Sequence, residues 1–318
     1  MAEQKRLFQL DIRDLLKRKK EFVTVSCPAC QLKKYKPEWR KYTLTFVTCA
    51  HCGTVFTNPR PTPEILDYYY RHSRNYAYWN TYIFPVSENA RREKIFKPRA
   101  HLIKRLCAKH GINTGTLVDV GAGFGTGCEE VKRLKLFRRI IAVEPNPELA
   151  KTCRAKGIET IEQRIEDSAF NGGIDVITNY EVIEHLFSPK DFLRGCATAL
   201  PRGGIIIITC PNGLGFDVSV LKEVSDVIDI EHLNYFNPHS LGLLLERYGF
   251  TVIERLTPGK LDAELVRKKT LAGEFNLDDQ PFLKRVLIDE WDRLGEKFQA
   301  WISEHGLSSN MLLVARKN

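Results

Sequence analysis

From residue 116 onward the chain alternates short apolar runs with longer stretches whose apolar positions recur every third or fourth residue. The runs TLVDVG, RIIAVE, ETIEQ, IDVITNYE, GGIIIITCPN and FTVIERL predict strands, most of them covered on both faces. Between them GTGCEEVKRLKL, NPELAKTCRAKG, SPKDFLRGCATAL and NPHSLGLLLERYG predict helices, the third with Ser188 as its N-cap. This order predicts an α/β domain with a parallel sheet between helical layers, where ligands bind beyond the carboxyl ends of the strands. Upstream the pattern changes. YTLTFVT alternates and reads as a strand, and RREKIFKPRAHLIKRLCAKHG, residues 91–111, reads as an amphipathic helix entering the main domain. YYYRHSRNYAYWNTYIF, residues 68–84, is dense in aromatics without a period. It fits a lid stacking on a ligand and equally fits packing between two domains. Near the C-terminus Leu283, Val286, Leu287, Trp291, Leu294, Phe298 and Trp301 recur at helical spacing, for core packing or a homodimer interface.

With 318 residues there is room for one large domain and one small one. Charge divides them. Residues 1–110 hold 23 Lys and Arg against 9 Asp and Glu, whereas 111–318 hold 25 against 30. A basic front on a mildly acidic body points to a phosphate-bearing substrate or an anionic partner, although KRKK at 17–20 reads as solvated surface. The first twenty residues are charged throughout and lack the features of a signal peptide, and no apolar run approaches a bilayer-spanning length. A cytoplasmic protein without membrane insertion is expected.

CPAC and CAHC place Cys27, Cys30, Cys49 and Cys52 as C-x2-C, eighteen residues, C-x2-C. Two knuckles at that separation predict a zinc ribbon. Four thiolates close the coordination sphere, so the Zn²⁺ is expected to be structural and to supply folding energy to a segment with little core. Cys107, Cys128, Cys153, Cys196 and Cys210 are scattered and read as small buried hydrophobes. The expected organisation is a basic N-terminus and zinc ribbon at 1–60, an aromatic and helical linker or lid at 61–110, and the main domain at 111–318. Segments 213–236 and 260–306 are insertions in that domain.

The first strand of the main domain ends in VDVGAGFGTG. Gly121, Gly123 and Gly125 allow close backbone approach to a ligand, but Thr126 stands where a dinucleotide fingerprint needs glycine. The next strand ends in Glu144, suited to both hydroxyls of a ribose. DVGAGFG, AVEPN, IDVITNYEVIEHL and ALPRGGIIIITCPN together resemble the motifs of class I S-adenosylmethionine-dependent methyltransferases. The resemblance covers roughly 100–318 and implies a Rossmann-like seven-stranded sheet whose last strand, NMLLVARK, is antiparallel. It implies that Gly121, Ala122, Gly123 and Gly125 cradle the methionine part, with Asp119 orienting the loop and Tyr180 touching the methionine end. It further implies Glu144 on the ribose, Pro145 and Ile165 about the adenine, and Glu166 near its amino group. The whole chain also resembles a bacterial subgroup that places a zinc ribbon before this domain, with an EHLNYF-type motif and a tail like LDxxLV…QPFL…LSSNM. Such proteins accompany genes for surface polysaccharides and modified sugars.

NYEVIEHLF puts Glu181, Glu184 and His185 at the end of the fourth strand, and DIEHLNYF adds His232 from the insertion. If a helical turn starts at Glu181, the trio shares one face. Three roles are open: His185 as a general base, a divalent-metal site, or helix-start polarity. Ubiquinone-biosynthesis O-methyltransferases and small-RNA terminal 2′-O-methyltransferases use a similar E-x-x-E-H stretch to bind a divalent cation. That resemblance implies Mg²⁺, Mn²⁺ or Zn²⁺ in the cleft, which would stabilise an alkoxide. The expected activity is methyl transfer from S-adenosylmethionine to a small anionic acceptor, as O-methylation of a nucleotide-linked sugar or polysaccharide precursor. The alternatives are an RNA 2′-O-methyltransferase, with the basic front as RNA grip, and a non-enzymatic binding module on the same scaffold.

Overall fold

The computed structural model describes residues 2–168, 170 and 173–318, and its strands form two sheets. The N-terminal sheet holds β1 (Tyr35–Lys41), β2 (Leu44–Cys49) and β3 (Val55–Thr57) as an antiparallel ribbon. The main sheet holds β4 (Thr116–Val120), β5 (Arg139–Val143), β6 (Glu159–Ile161), β7 (Val176–Tyr180) and β8 (Ile205–Pro211). A short strand, β9 (Asn234–Tyr235), lies in the first insertion; β10 (Phe250–Leu256) and β11 (Asn310–Lys317) complete the main sheet. Its order is β10-β11-β8-β7-β4-β5-β6, with β11 antiparallel to both neighbours. The expected seven strands and the antiparallel last strand are both present.

Period-two alternation divides the core. Leu117, Val176, Ile205, Ile207, Leu312 and Val314 face the helix Lys97–His110. Val118, Ile177, Ile206, Ile208 and Leu313 face the opposite layer, with Phe192, Leu193, Leu241 and Leu244 from the helices Pro189–Ala199 and Pro238–Arg247. The ribbon adds to this second layer, because Cys27, Cys30, Cys49, Cys52 and Phe56 belong to the same apolar cluster. β9, from the insertion at 213–236, pairs with β3, so the ribbon sheet takes its fourth strand from the other domain.

Several details differ from expectation. The charged N-terminus is a helix, Ala2–Lys17, that buries Ile12 and Leu15. Its buried Asp11 accepts bonds from Ser73 Oγ and from the backbone N–H groups of Arg74 and Asn75. β1 escapes a period-two reading because its register shifts between Pro37 and Trp39. Ser188 occupies the N-cap position but does not cap: its hydroxyl turns to the Asp191 carboxylate. The tail helices Asp262–Leu271 and Trp291–Glu304 pack with Leu221 into a satellite core that includes Val286, Leu287, Leu294 and Phe298. Trp301 stays half exposed and stacks on His305. Among the described residues no helix is long and apolar enough to cross a membrane.

Candidate active site

The turn after β4 needs glycine for space as well as for φ. Gly121 has φ +76°, and a Cβ there would meet Val182 at 2.4 Å. Gly125, φ +68°, lies against Cys153, whereas a Cβ on Gly123 would meet nothing within 4 Å. The loop is therefore packed from below and open at Gly123. Glu144, at the end of β5, accepts from Gly123 N–H at 2.8 Å and Asn146 N–H at 2.9 Å. Burial outweighs these donors and pushes its carboxyl up to about 7. Asp119 ties strands rather than loop amides: it accepts from the Thr178 hydroxyl at 2.6 Å and faces the Cys128 thiol. Burial raises its carboxyl as well.

A pocket beside this loop is lined by Asp119, Gly121, Ala122, Thr178 and Tyr180, with Phe96 and Arg99 from the preceding helical segment. Arg99 lies 4.5 Å over the Tyr180 ring and reaches Glu181 Oε1 at 3.3 Å. Sequence reasoning missed Arg99, since one arginine in a basic helix carries no signal until the helix is placed. Pro145 is exposed beyond β5, Glu166 is exposed, and Ile165 is buried in the core between them and the sheet.

The aromatic bridge covers the loop. Phe84 stacks on Phe124 at 3.7 Å, with Trp79 beside both. Arg92 pairs with Glu129 and Glu130, while Glu88 meets Thr126 and Lys156. Its earlier half turns to the other motif: Tyr69 and Tyr76 both donate to Glu231, and Tyr70 OH lies 3.3 Å from His185 Nδ1.

The EVIEHL stretch does not form a helix. Glu181 is a non-glycine residue at φ +58°, an uncommon conformation that ends the strand, and its side chain stays close enough to Glu184 to act on that carboxyl. Its Oε1 accepts from Thr209 Oγ1 at 2.6 Å and from Asn310 Nδ2 at 3.3 Å, besides Arg99. The shared face expected for the trio is thus absent. Glu184 and His185 sit on the following turn and converge instead with His232, one ligand atom of each lying within 4.8 Å of the others. The two imidazoles are 4.6 Å apart.

Glu184 is 0% exposed and neither carboxylate oxygen has a hydrogen-bond partner. Burial, followed by the neighbouring Glu181 charge, holds its carboxyl well above the usual range. Burial and the facing His232 hold His185 well below the ordinary imidazole value, so it is neutral. His232 Nδ1 lies 2.9 Å from the Val227 carbonyl; donation there leaves Nε2 as the free nitrogen. A buried carboxylate without a donor costs several kcal/mol unless protonated or matched by a cation. Glu184, His185 and His232 therefore fit a divalent cation.

One polar network builds this turn. Asn234 Nδ2 approaches the carbonyls of Ile183, Glu184 and Leu186, the last at 2.7 Å. Arg60, fully buried at the end of the ribbon, donates to Asn234 Oδ1, Leu233 O, Phe187 O and Thr57 O. Burial lowers its guanidinium to about 9, still charged at neutral pH, and the neighbouring Cys27 thiol works in the opposite direction. In the ribbon the four Sγ atoms lie within 4.8 Å of one another, all buried, with Cys27–Cys52 at 3.5 Å and Cys30–Cys49 at 3.4 Å. This closed thiol set fits a tetrahedral Zn²⁺.

The "Ubiquinone biosynthesis O-methyltransferase" of Caulobacter vibrioides is 38% identical over 105 residues, 30% of this chain and 41% of that protein. The protein of the same name from Xanthomonas campestris pv. campestris is 30% identical over 115 residues, 34% of this chain and 47% of its own. The chain thus spans under half the length of these curated relatives. Among solved structures, a SAM-dependent methyltransferase from Archaeoglobus fulgidus superposes with TM-score 0.49 at 18% identity, covering 74% of this chain and 100% of that one. A Brevibacillus brevis O-methyltransferase solved with S-adenosyl-L-homocysteine gives 0.49 at 16%, covering 74% and 76%. The family model described as "Methyltransferase domain" matches residues 90–255, from the helix that carries Arg99 to the end of β10. Over half of the chain, the glycine loop and the Glu184 turn included, falls within that match: the protein belongs to the methyltransferase-domain family.

Proposed function

We propose that the enzyme transfers a methyl group from S-adenosylmethionine to a hydroxyl of a small phosphate-bearing acceptor, a nucleotide-linked sugar or polysaccharide precursor, with a divalent cation in the acceptor cleft. The observation that carries the reading is the buried Glu184 carboxylate, unpartnered at both oxygens and converging with His185 and His232. The name of the curated relatives, an O-methyltransferase, supports oxygen as the atom methylated.

The chain's own residues divide the work. The Gly121–Gly125 loop and Glu144 hold the donor, with Arg99 near enough to the methionine pocket to meet its carboxylate. Phe84 and Trp79 over Phe124 keep water from the sulfonium. Glu184, His185 and His232 would hold the cation, which when bound supplies charge stabilisation for an ionising hydroxyl. Tyr70 orients His185, and the Val227 carbonyl orients His232. Methyl transfer then needs only an in-line approach, which positioning provides. A second reading keeps His185 as a metal-free general base, favoured by its neutral state and the Tyr70 contact.

Metal analysis separates the two. Two metals per chain are expected in the wild type, and Glu184→Ala/His232→Ala should retain only one while still binding S-adenosylmethionine. A single metal in the wild type, with full methyl transfer in chelator-treated buffer, would leave the general-base reading in its place.

A further inference from the structure

A second cavity lies in the seam where the first cysteine knuckle meets the chain just past His185. Its volume is about 530 Å³, within the range of small-molecule sites. Ser26, Gln31, Lys33 and Tyr35 reach it from the ribbon, and Ser188 and Lys190 from the catalytic domain. No carboxylate lines it. Ser188 is engaged by Asp191, whose other oxygen is held by Arg194. Among the described residues the other five side chains make no hydrogen bond or ion pair. Buried at the back is Arg60, with its donors taken by carbonyls and Asn234 but its charge uncompensated by any carboxylate.

Two ammonium groups border a cavity without carboxylates; Cys27 of the thiolate set also lines it, and the buried Arg60 guanidinium offsets part of that negative charge, so the two lysines make the seam positive. Neutral donors stand around it: a serine hydroxyl, a glutamine amide and a phenol. This is the donor set of a phosphate site, with charge from two lysines and direction from neutral groups. Two domains contribute one lysine each, and β9 and Arg60 tie those domains together.

We propose that this seam binds a diphosphate group, with Lys33 and Lys190 as its counter-charges and Ser26, Gln31 and Tyr35 as neutral donors. It deepens the acceptor reading above and rests on it only for what carries the diphosphate. Phe187, on the cavity wall, is two residues from His185, at most about 7 Å along the chain. The seam thus lies beside the backbone of the turn that carries Glu184 and His185.

Calorimetric titration of the full zinc-loaded chain with pyrophosphate, without added divalent cation, tests this. One pyrophosphate per chain is expected, with affinity at least tenfold weaker in Lys33→Glu and in Lys190→Glu, and S-adenosylmethionine binding unchanged in both. Uridine diphosphate distinguishes the source. An equal loss for it in the variants assigns the site to a nucleotide-linked acceptor, and pyrophosphate binding without uridine diphosphate binding assigns it to a free inorganic anion. No saturable pyrophosphate binding by the wild type, or binding that survives Lys33→Glu/Lys190→Glu, overturns the proposal. Methyl transfer is not read here, so a wrong donor or cleft metal leaves this outcome unaffected.

Discussion

Replacing Arg60 by Met should disable catalysis without dismantling the protein. Three acceptors depend on Arg60 alone, Thr57 O, Phe187 O and Asn234 Oδ1; Leu233 O also receives Thr57 N–H. Each buried acceptor left unpaired costs about 1–3 kcal/mol, so the loss is about 3–9 kcal/mol. Against this, a guanidinium held at about 9 rather than 12.5 has lost roughly 5 kcal/mol of preference for its charged form, at 1.36 kcal/mol per tenfold. Methionine has no charge to bury and recovers much of that. The two effects partly offset, so global stability should fall by no more than about 5 kcal/mol. Two of the three unpaired groups, however, are on the candidate catalytic turn or its hub. Slack of about 1 Å there is enough for a loss on the order of 100-fold in kcat. The assay is kcat and donor KM beside thermal unfolding and zinc content. Expected are a kcat reduced about 100-fold, an unchanged donor KM and one ribbon zinc. A variant with intact fold and zinc but wild-type kcat would refute the claim that the ribbon buttresses the catalytic turn.

Other outcomes follow from the same geometry. Glu144 is held near pH 7 against 4.5 when free, so the folded state keeps a proton there that the unfolded chain has already lost. Its contribution to stability therefore falls as pH rises from 4.5 through 7; in Glu144→Gln the amide NH2 faces one of the two backbone N–H groups that the carboxylate oxygens accept from, so the variant should melt below wild type at pH 4.5 and by a smaller margin at pH 8, read by thermal unfolding. The same variant should bind S-adenosylmethionine at least tenfold more weakly by calorimetry. Cys27→Ser should lose zinc and speed amide exchange at Asn234 and Tyr235, because β9 has the ribbon strand β3 as its partner. Arg99→Ala should raise the donor Kd about tenfold while leaving the cleft metal in place, as measured by titration and metal analysis.

The catalytic sheet was legible because its strands are covered on both faces and read as near-continuous apolar runs: Ile205, Ile206, Ile207 and Ile208 are all fully buried. The glycine loop and the cysteine knuckles were legible because each encodes its chemistry in local spacing. The charged N-terminal helix was not, since its stripe of Ile12 and Leu15 is narrow and its key buried group is an aspartate serving as a distant cap. Nor was the fate of Glu181. Spacing put it on one helical face with Glu184 and His185; no helix forms there, and the positive φ at the strand end turns its carboxylate to Thr209 and Asn310 while it still neighbours Glu184. Tyr70 lay within a segment already marked for its aromatics, but no period indicated which ring would meet His185.

The division into ribbon and catalytic domain, natural in the sequence, conceals how the cleft is assembled. His232 reaches Glu184 because β9 is fixed two residues downstream of it, and β9 is fixed because β3 of the ribbon is its antiparallel partner. Asn234 at that junction reaches three carbonyls of the catalytic turn and meets Arg60 from the ribbon. Asn237 adds a bond to the Cys52 carbonyl at 3.0 Å, joining the cysteine knuckle to the start of the next helix. A catalytic domain lacking this ribbon would keep its glycine loop, whose contacts are with Glu144, Val182 and Cys153. It would lose the support that brings His232 to the cleft. On the proposed reading donor binding and acceptor chemistry depend on different parts of the chain, and the ribbon's four-thiol set belongs with the second.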